Sequence, residues 1–149
     1  MLSRSKPRVP SSLYIRGESG AVRIEAAASG EEKTLRRFTM TAYTGGAMAL
    51  AGWPYPVVVD LTGLVLGKKS RPILMNHDTA RIVGHTDTVG VEGTALTVAG
   101  VISGVGSAAR EVVGASDNGF PWQASLGAAV KKVVFVPEGK TATANGKEF

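Results

Sequence analysis

The apolar residues of this chain come in short runs that alternate with polar ones and are cut off every few positions by turn formers. That pattern suits half-buried strands and leaves little room for long helices. Val22, Ile24 and Ala26 alternate with Arg23 and Glu25 in a strand over Ala21 to Ala26, and Phe38, Met40 and Ala42 repeat the two-residue period. Val57-Val58-Val59 is a β-branched run between Pro56 and Asp60, Pro72 to Met75 runs into the polar turn Asn76-His77-Asp78, and Arg81 to Gly84 resumes the apolar pattern. Val89 to Ile102 reads as a hairpin around Glu92-Gly93. Phe120, Trp122 and Ala124 alternate with Gln123 and Ser125, and Ala128 to Val136 is again strand-prone. One stretch reads as helix: Ser107 as N-cap, Ala108 to Ala115 as body with Val112 and Val113 on the apolar side, and Asp117-Asn118-Gly119 as terminator. Roughly seven strands and one helix predict an α+β fold, mainly β with a flanking helix. An antiparallel β-barrel or strongly bent sheet is the expected closure, since it leaves few raw edges.

A chain of 149 residues, 44% hydrophobic, is the size of one compact domain, expected over residues 13–149. With no cysteine, disulfides, thiolate metal sites and cysteine nucleophiles are all excluded. Of 17 lysines and arginines and 12 acids, 8 and 4 fall in the first forty residues, so the basic excess is concentrated there. Residues 1–12, rich in Ser, Pro, Lys and Arg, read as a flexible basic arm with almost nothing to bury. A nucleic-acid reader would spread its charge over a folded face, so nucleic acid is not the expected partner. The longest uncharged run, Phe38 to Val59, is broken by Gly45-Gly46 and Trp53-Pro54-Tyr55-Pro56, which argues against a membrane span. The first ten residues have no apolar core of a secretory signal, and a reducing cytoplasm suits the composition.

Two histidines restrict imidazole chemistry to His77 and His85. His77 ends an apolar run, a position where a strand fixes a side chain that faces a cleft; a satisfied surface histidine is the plain alternative. Ser125 lies in Gln123-Ala124-Ser125-Leu126-Gly127, opposite the bulky Phe120 and Trp122, with small neighbours that let a substrate backbone approach; an exposed polar residue is its plain alternative. Serine is a weak nucleophile until a base takes its proton, so catalysis requires these two residues to meet across 48 positions.

Other constellations carry less. Gly104-Val105-Gly106-Ser107-Ala108-Ala109 formally matches a dinucleotide fingerprint, but no acid follows at the ribose-binding spacing, and a glycine loop opening a helix suffices. His77, Asp78, His85 and Asp87 show no metal-ligand spacing, and His85 reads as a strand residue facing solvent or a partner. Lys68-Lys69-Ser70-Arg71 and Lys131-Lys132 read as solvated turns or strand edges. Neither metal nor organic cofactor is expected.

From about Arg37 to Val130 the chain resembles the prohead (capsid maturation) proteases of tailed bacteriophages, which are related in fold to herpesvirus assemblins. The resemblance rests on Val59-Asp60-Leu61-Thr62-Gly63, Pro72-Ile73-Leu74-Met75-Asn76-His77-Asp78, Ile82-Val83-Gly84-His85-Thr86, Ala109-Arg110-Glu111-Val112-Val113 and Asn118-Gly119-Phe120-Pro121-Trp122-Gln123-Ala124-Ser125-Leu126-Gly127. It implies a β-barrel with flanking helices, His77 as general base and Ser125 as nucleophile. It also implies cleavage of scaffolding and major capsid protein inside an immature capsid in the bacterial cytoplasm, with a homodimer as one possible assembly. Family members add an acid on a strand after the serine; here Glu138, Glu148 or a residue beyond Phe149 is left open for that role. A non-catalytic assembly module, using its basic arm on a scaffold, is the competing expectation.

Overall fold

A computed structural model describes residues 11–15, 22–26, 35–50 and 53–149, with the side chains of 12–15 left aside. Nine short strands and one α-helix follow in the order β1 (Ser12–Ile15), β2 (Val22–Ile24), β3 (Arg37–Tyr43), β4 (Pro72–Leu74), β5 (Ile82–Glu92), β6 (Ala95–Val101), α1 (Ser107–Asp117), β7 (Leu126–Ala129), β8 (Thr143–Ala144) and β9 (Lys147–Glu148). The expected α+β class is observed, with every described strand pairing antiparallel.

Five strands form one sheet in the order β2-β3-β6-β5-β4, while β1-β7 and β8-β9 form separate pairs. Register shifts interrupt the β3–β6, β5–β6 and β4–β5 ladders, and such bulges add local twist and bend. The large sheet is therefore curled, a half-barrel; among the described residues it does not close into the full barrel anticipated from the sequence.

Alternation along β6 buries Leu96, Val98 and Gly100, and across the ladder Met40 lies opposite Val98 and Phe38 opposite Gly100. This inner face, with Tyr43, Val83 and Ile102, is the core, which α1 joins through Ala108, Ala109 and Val112. The helix comes close because residue 104 is glycine: a Cβ there would stand 2.9 Å from that of Ala109 and 2.4 Å from the Ile82 carbonyl oxygen.

Several sequence expectations need correction. Val57 to Val59 is not a strand; Val57 makes only an isolated bridge to Met48. Val57 exchanges two backbone hydrogen bonds with Met48 at 2.8 and 2.9 Å, while Val59 is held by side chains: the Tyr43 hydroxyl accepts its amide at 3.1 Å and donates to the Gly46 carbonyl. The hairpin around Glu92-Gly93 is present, but β5 begins at Ile82, so the Arg81 to Gly84 run belongs to the same strand. Gly106, not Ser107, is the helix N-cap, and α1 continues two residues beyond Ala115. Its end is as expected: Gly119 has φ +82°, its amide donates to Ser116 O and the Phe120 amide to Ala115 O, the paired bonds of a Schellman motif. Strand β7 is shorter than the 128–136 run suggested; Val133 to Val136 lie outside any strand, with Val134 70% exposed. Residues 1–10 of the expected arm lie outside the described residues, while Ser12 is the first residue of β1.

The β8–β9 hairpin closes the loops at one end of the core through one side chain. Asn145, in the left-handed conformation suited to a tight hairpin turn (φ 52°), accepts the Leu61 amide at 2.9 Å. Its amide nitrogen donates to Val59 O at 2.8 Å and to Gly45 O at 3.1 Å. Asn145→Ala leaves three backbone groups without these partners and is expected to lower unfolding free energy by about 2 kcal/mol in chemical denaturation.

Two ion pairs tie the start of β3 to distant elements: Arg36 to Asp117 at the end of α1 (2.6 Å) and Arg37 to Asp87 of β5 (2.7 Å). Hydrogen bonding from Arg36, reinforced by its charge, holds the Asp117 carboxyl below the usual carboxylate range. A group depressed on folding stabilises fully above its unfolded value of about 3.9 and loses that contribution as pH falls through its folded value. Thermal unfolding of wild type and Asp117→Asn is therefore expected to differ at neutral pH and to converge below about pH 4.

Candidate active site

His77 and Ser125 meet. The imidazole Nε2 stands 2.9 Å from the Ser125 hydroxyl oxygen, and both residues are half-buried. The two reach this contact from opposite sides of the sequence, and each is held by elements that also touch α1.

On the histidine side, β4 ends at Leu74 and the chain enters a tight turn over Met75–His77 whose backbone is not that of a regular helix. Asn76 (φ 53°) and His77 (φ 57°) are both left-handed, a conformation that costs a side-chain-bearing residue energy and that asparagine tolerates best. The surrounding bonds hold it in place: Met75 N donates to Arg81 O, Asp78 N to Met75 O, Arg81 N to Asp78 O, and Ala80 N to the Asp78 carboxylate, at 2.9–3.0 Å. Arg81 then reaches Glu111 of α1 at 3.4 Å. Buried Met75 anchors the turn in the core, so the loop has little freedom to carry His77 away.

On the serine side, Ser125 sits immediately before β7 rather than inside a strand from Phe120, as the alternation suggested. The preceding residues are fixed by the Trp122 indole NH, which donates to Val112 O of α1 at 3.0 Å, and by the Val22 amide of β2, which donates to Trp122 O at 3.4 Å. Phe120 packs against Trp122 with ring centroids 4.6 Å apart, and Ala124 is buried. Downstream, β7 pairs with β1, Leu126 opposite Ile15 and Gly127 opposite Tyr14. Ser125 is thus bracketed by a buried alanine and a paired strand, and Gly127 is exposed next to it.

The arrangement is chemically simple. A hydroxyl within 2.9 Å of an imidazole nitrogen can donate its proton to that nitrogen when the ring carries its other proton on Nδ1, and the oxygen is then ready to form a bond.

The remaining candidates lie apart from this pair. His85, on β5, is exposed and its Nδ1 lies 2.6 Å from the Ser103 hydroxyl. Among the described residues, no group of three or more histidine and acidic side chains converges as a metal site would require. Glu138 occupies the turn closed by Lys140 N to Pro137 O, and Glu148 is an exposed residue of β9; neither is hydrogen-bonded to His77. Asp60, in the first of the family-like blocks, caps a 3-10 turn by accepting the Thr62 amide and hydroxyl, which lower its carboxyl pKa. Its role is local.

The sequence marks Asn76 as a turn residue and Trp122 as bulk opposite Ser125, but not the left-handed backbone of the one or the hydrogen bond of the other to α1. Asparagine directly before a candidate histidine is a recognisable signal for a left-handed residue, whereas the indole bond to α1 depends on tertiary packing.

Comparison with protein-family models, with curated proteins and with solved structures yields no match for the chain.

Asn76→Gly is expected to keep both stability and site geometry. Asn76→Val forces a β-branched residue into the left-handed region and should cost about 1–3 kcal/mol of stability, read by thermal unfolding, together with loss of Ser125 reactivity.

Proposed function

We propose that the protein is a serine endopeptidase of the prohead-protease type, in which Ser125 attacks a peptide carbonyl and His77 accepts its proton. The observation that carries the proposal is the 2.9 Å contact between His77 Nε2 and Ser125 Oγ, two residues 48 positions apart. The exposed His85–Ser103 contact shows that such a pair alone is not enough; at His77 and Ser125 the pair is half-buried and is held by left-handed backbone at His77 and a core-anchored segment before Ser125.

In the reaction, the Ser125 oxygen adds to the carbonyl carbon as its proton passes to Nε2, giving a tetrahedral oxyanion. Backbone amides at the entry to β7 are the nearest candidates to donate to that oxygen. Collapse expels the amine, which takes the proton back from His77, and leaves an acyl-enzyme. Water, deprotonated by the same imidazole, then adds to the acyl carbon, the bond to Ser125 Oγ breaks to release the second product as its carboxylic acid, and the imidazolium returns the proton to the serine oxygen. The half-barrel sheet with its flanking helix suits the prohead-protease architecture, and scaffolding and major capsid protein within an immature capsid are the proposed substrates.

A fluorophosphonate probe is expected to label Ser125 in the wild type. Ser125→Ala should abolish labelling, and His77→Ala should slow it about a thousandfold or more while leaving the fold intact by circular dichroism. Cleavage of co-expressed capsid and scaffolding protein should stop in both variants. Processing that continues in Ser125→Ala, or labelling indifferent to His77, removes the proposal in favour of a non-catalytic assembly module.

A further inference from the structure

We propose that the candidate peptidase site takes substrates whose flank beside the scissile bond is acidic, and that this flank is docked by Lys68, Lys69 and Arg71 along the open edge of β4. The inference rests on the peptidase reading above and adds the class of polypeptide it acts on.

Three observations converge. The stretch 61–77, which ends at His77, holds three cations and no acid. All three cations are exposed, and among the described residues no ion pair neutralises any of them, whereas Arg36, Arg37 and Arg81 are each matched to a carboxylate. Other exposed cations, Arg23, Lys131, Lys132, Lys140 and Lys147, are also outside any ion pair among the described residues, but among these residues only here do three cations fall within four positions, at the entry to the strand that leads to His77, and an acidic ligand is the electrostatic complement of such a cluster.

The loop is also rigid where it matters. Thr86, the one buried polar residue of the described set, accepts the Arg71 amide at 2.9 Å through its hydroxyl, and its own amide donates to Arg71 O. The Ser70 hydroxyl donates to Thr86 O, and the Arg71 guanidinium folds over Gly67. The charges are thus presented from a braced turn rather than a free tail.

The third observation is direction. β4 is the last strand of the five-stranded sheet, and among the described residues nothing pairs with its outer edge. Arg71 and Met75 bond inward to β5, so by the alternation of antiparallel ladders Pro72 and Leu74 turn their carbonyls outward, with the Leu74 amide. An extended peptide added to this edge would run for three residues, about 10 Å, between the basic turn and the left-handed turn that carries His77. Running antiparallel to β4, it would place acidic side chains on the C-terminal side of the bond that meets Ser125. An acidic peptide fits better than single-stranded nucleic acid, because β4 offers main-chain partners and residues 64–74 include no aromatic ring on which a base would stack.

The test uses the full chain and a fluorescein-labelled oligoglutamate peptide, with its glutamine counterpart as control. Anisotropy should show salt-sensitive binding of the glutamate peptide alone. The triple variant Lys68→Glu/Lys69→Glu/Arg71→Glu should bind about tenfold more weakly or worse, and Lys131→Glu/Lys132→Glu should bind as wild type. Saturating peptide should slow fluorophosphonate labelling of Ser125 several-fold in the wild type and not in the triple variant, which should label normally without peptide. Unchanged affinity in the triple variant overturns the proposal, as does bound peptide that leaves labelling untouched, or tighter loop-dependent binding of oligothymidylate than of oligoglutamate. Loop-dependent peptide binding in a protein whose Ser125 never labels supports the acidic docking surface and removes the peptidase reading beneath it.

Discussion

The seating of α1 against β5 is the constraint on which the rest of the site depends. Gly104 admits the helix, Ala108, Ala109 and Val112 bury its inner face, and the helix also offers the two attachments that matter: Glu111 to Arg81 of the histidine loop, and the Val112 carbonyl to the Trp122 indole of the serine segment. The Arg81–Glu111 pair is exposed and contributes little energy alone. The indole bond and the helix packing are the stronger links, because they involve groups removed from water. One helix thus sets the spacing of two residues that the sequence keeps 48 positions apart.

The large elements were legible in the residues. Two-residue alternation marks β2 and β3, the Glu92-Gly93 turn marks the central hairpin, and Asp117-Asn118-Gly119 marks the end of α1, because burial of one sheet face and the left-handed preference of glycine act locally. Val57 to Val59 misled for a physical reason: β-branched residues favour extended backbone, but pairing needs a partner at the right distance, and Tyr43 and Asn145 take up the carbonyls and amides there instead. Val133 to Val136 is the same case, an apolar extended run that the described sheets do not recruit. How far the sheet curls, short of the barrel expected, could not be read from strand patterns, since curvature comes from register shifts whose positions local composition does not announce.

The site divides similarly. His77 and Ser125 stood out as the residue types able to carry acyl transfer, but their contact is a product of the whole topology. The left-handed pair Asn76-His77 shows how local chemistry and tertiary demand combine: asparagine supplies tolerance, and the bonds around Met75, Asp78 and Arg81 supply the force that holds a histidine where it would not rest unaided. Electrostatically the molecule separates two kinds of cation. Those at the start of β3 are spent on internal carboxylates, and those of the turn before β4 face outward.

The Asn145 clasp has a kinetic side. Its bonds join positions separated by 84 to 100 residues, the longest closures among the side-chain hydrogen bonds. Contacts of such range form late, because the chain must surrender the freedom of the whole intervening loop before the bond returns anything. During synthesis the central hairpin and α1 can assemble as soon as they emerge, whereas residues 45 and 59–61 must wait, hydrated, until Asn145 has been made.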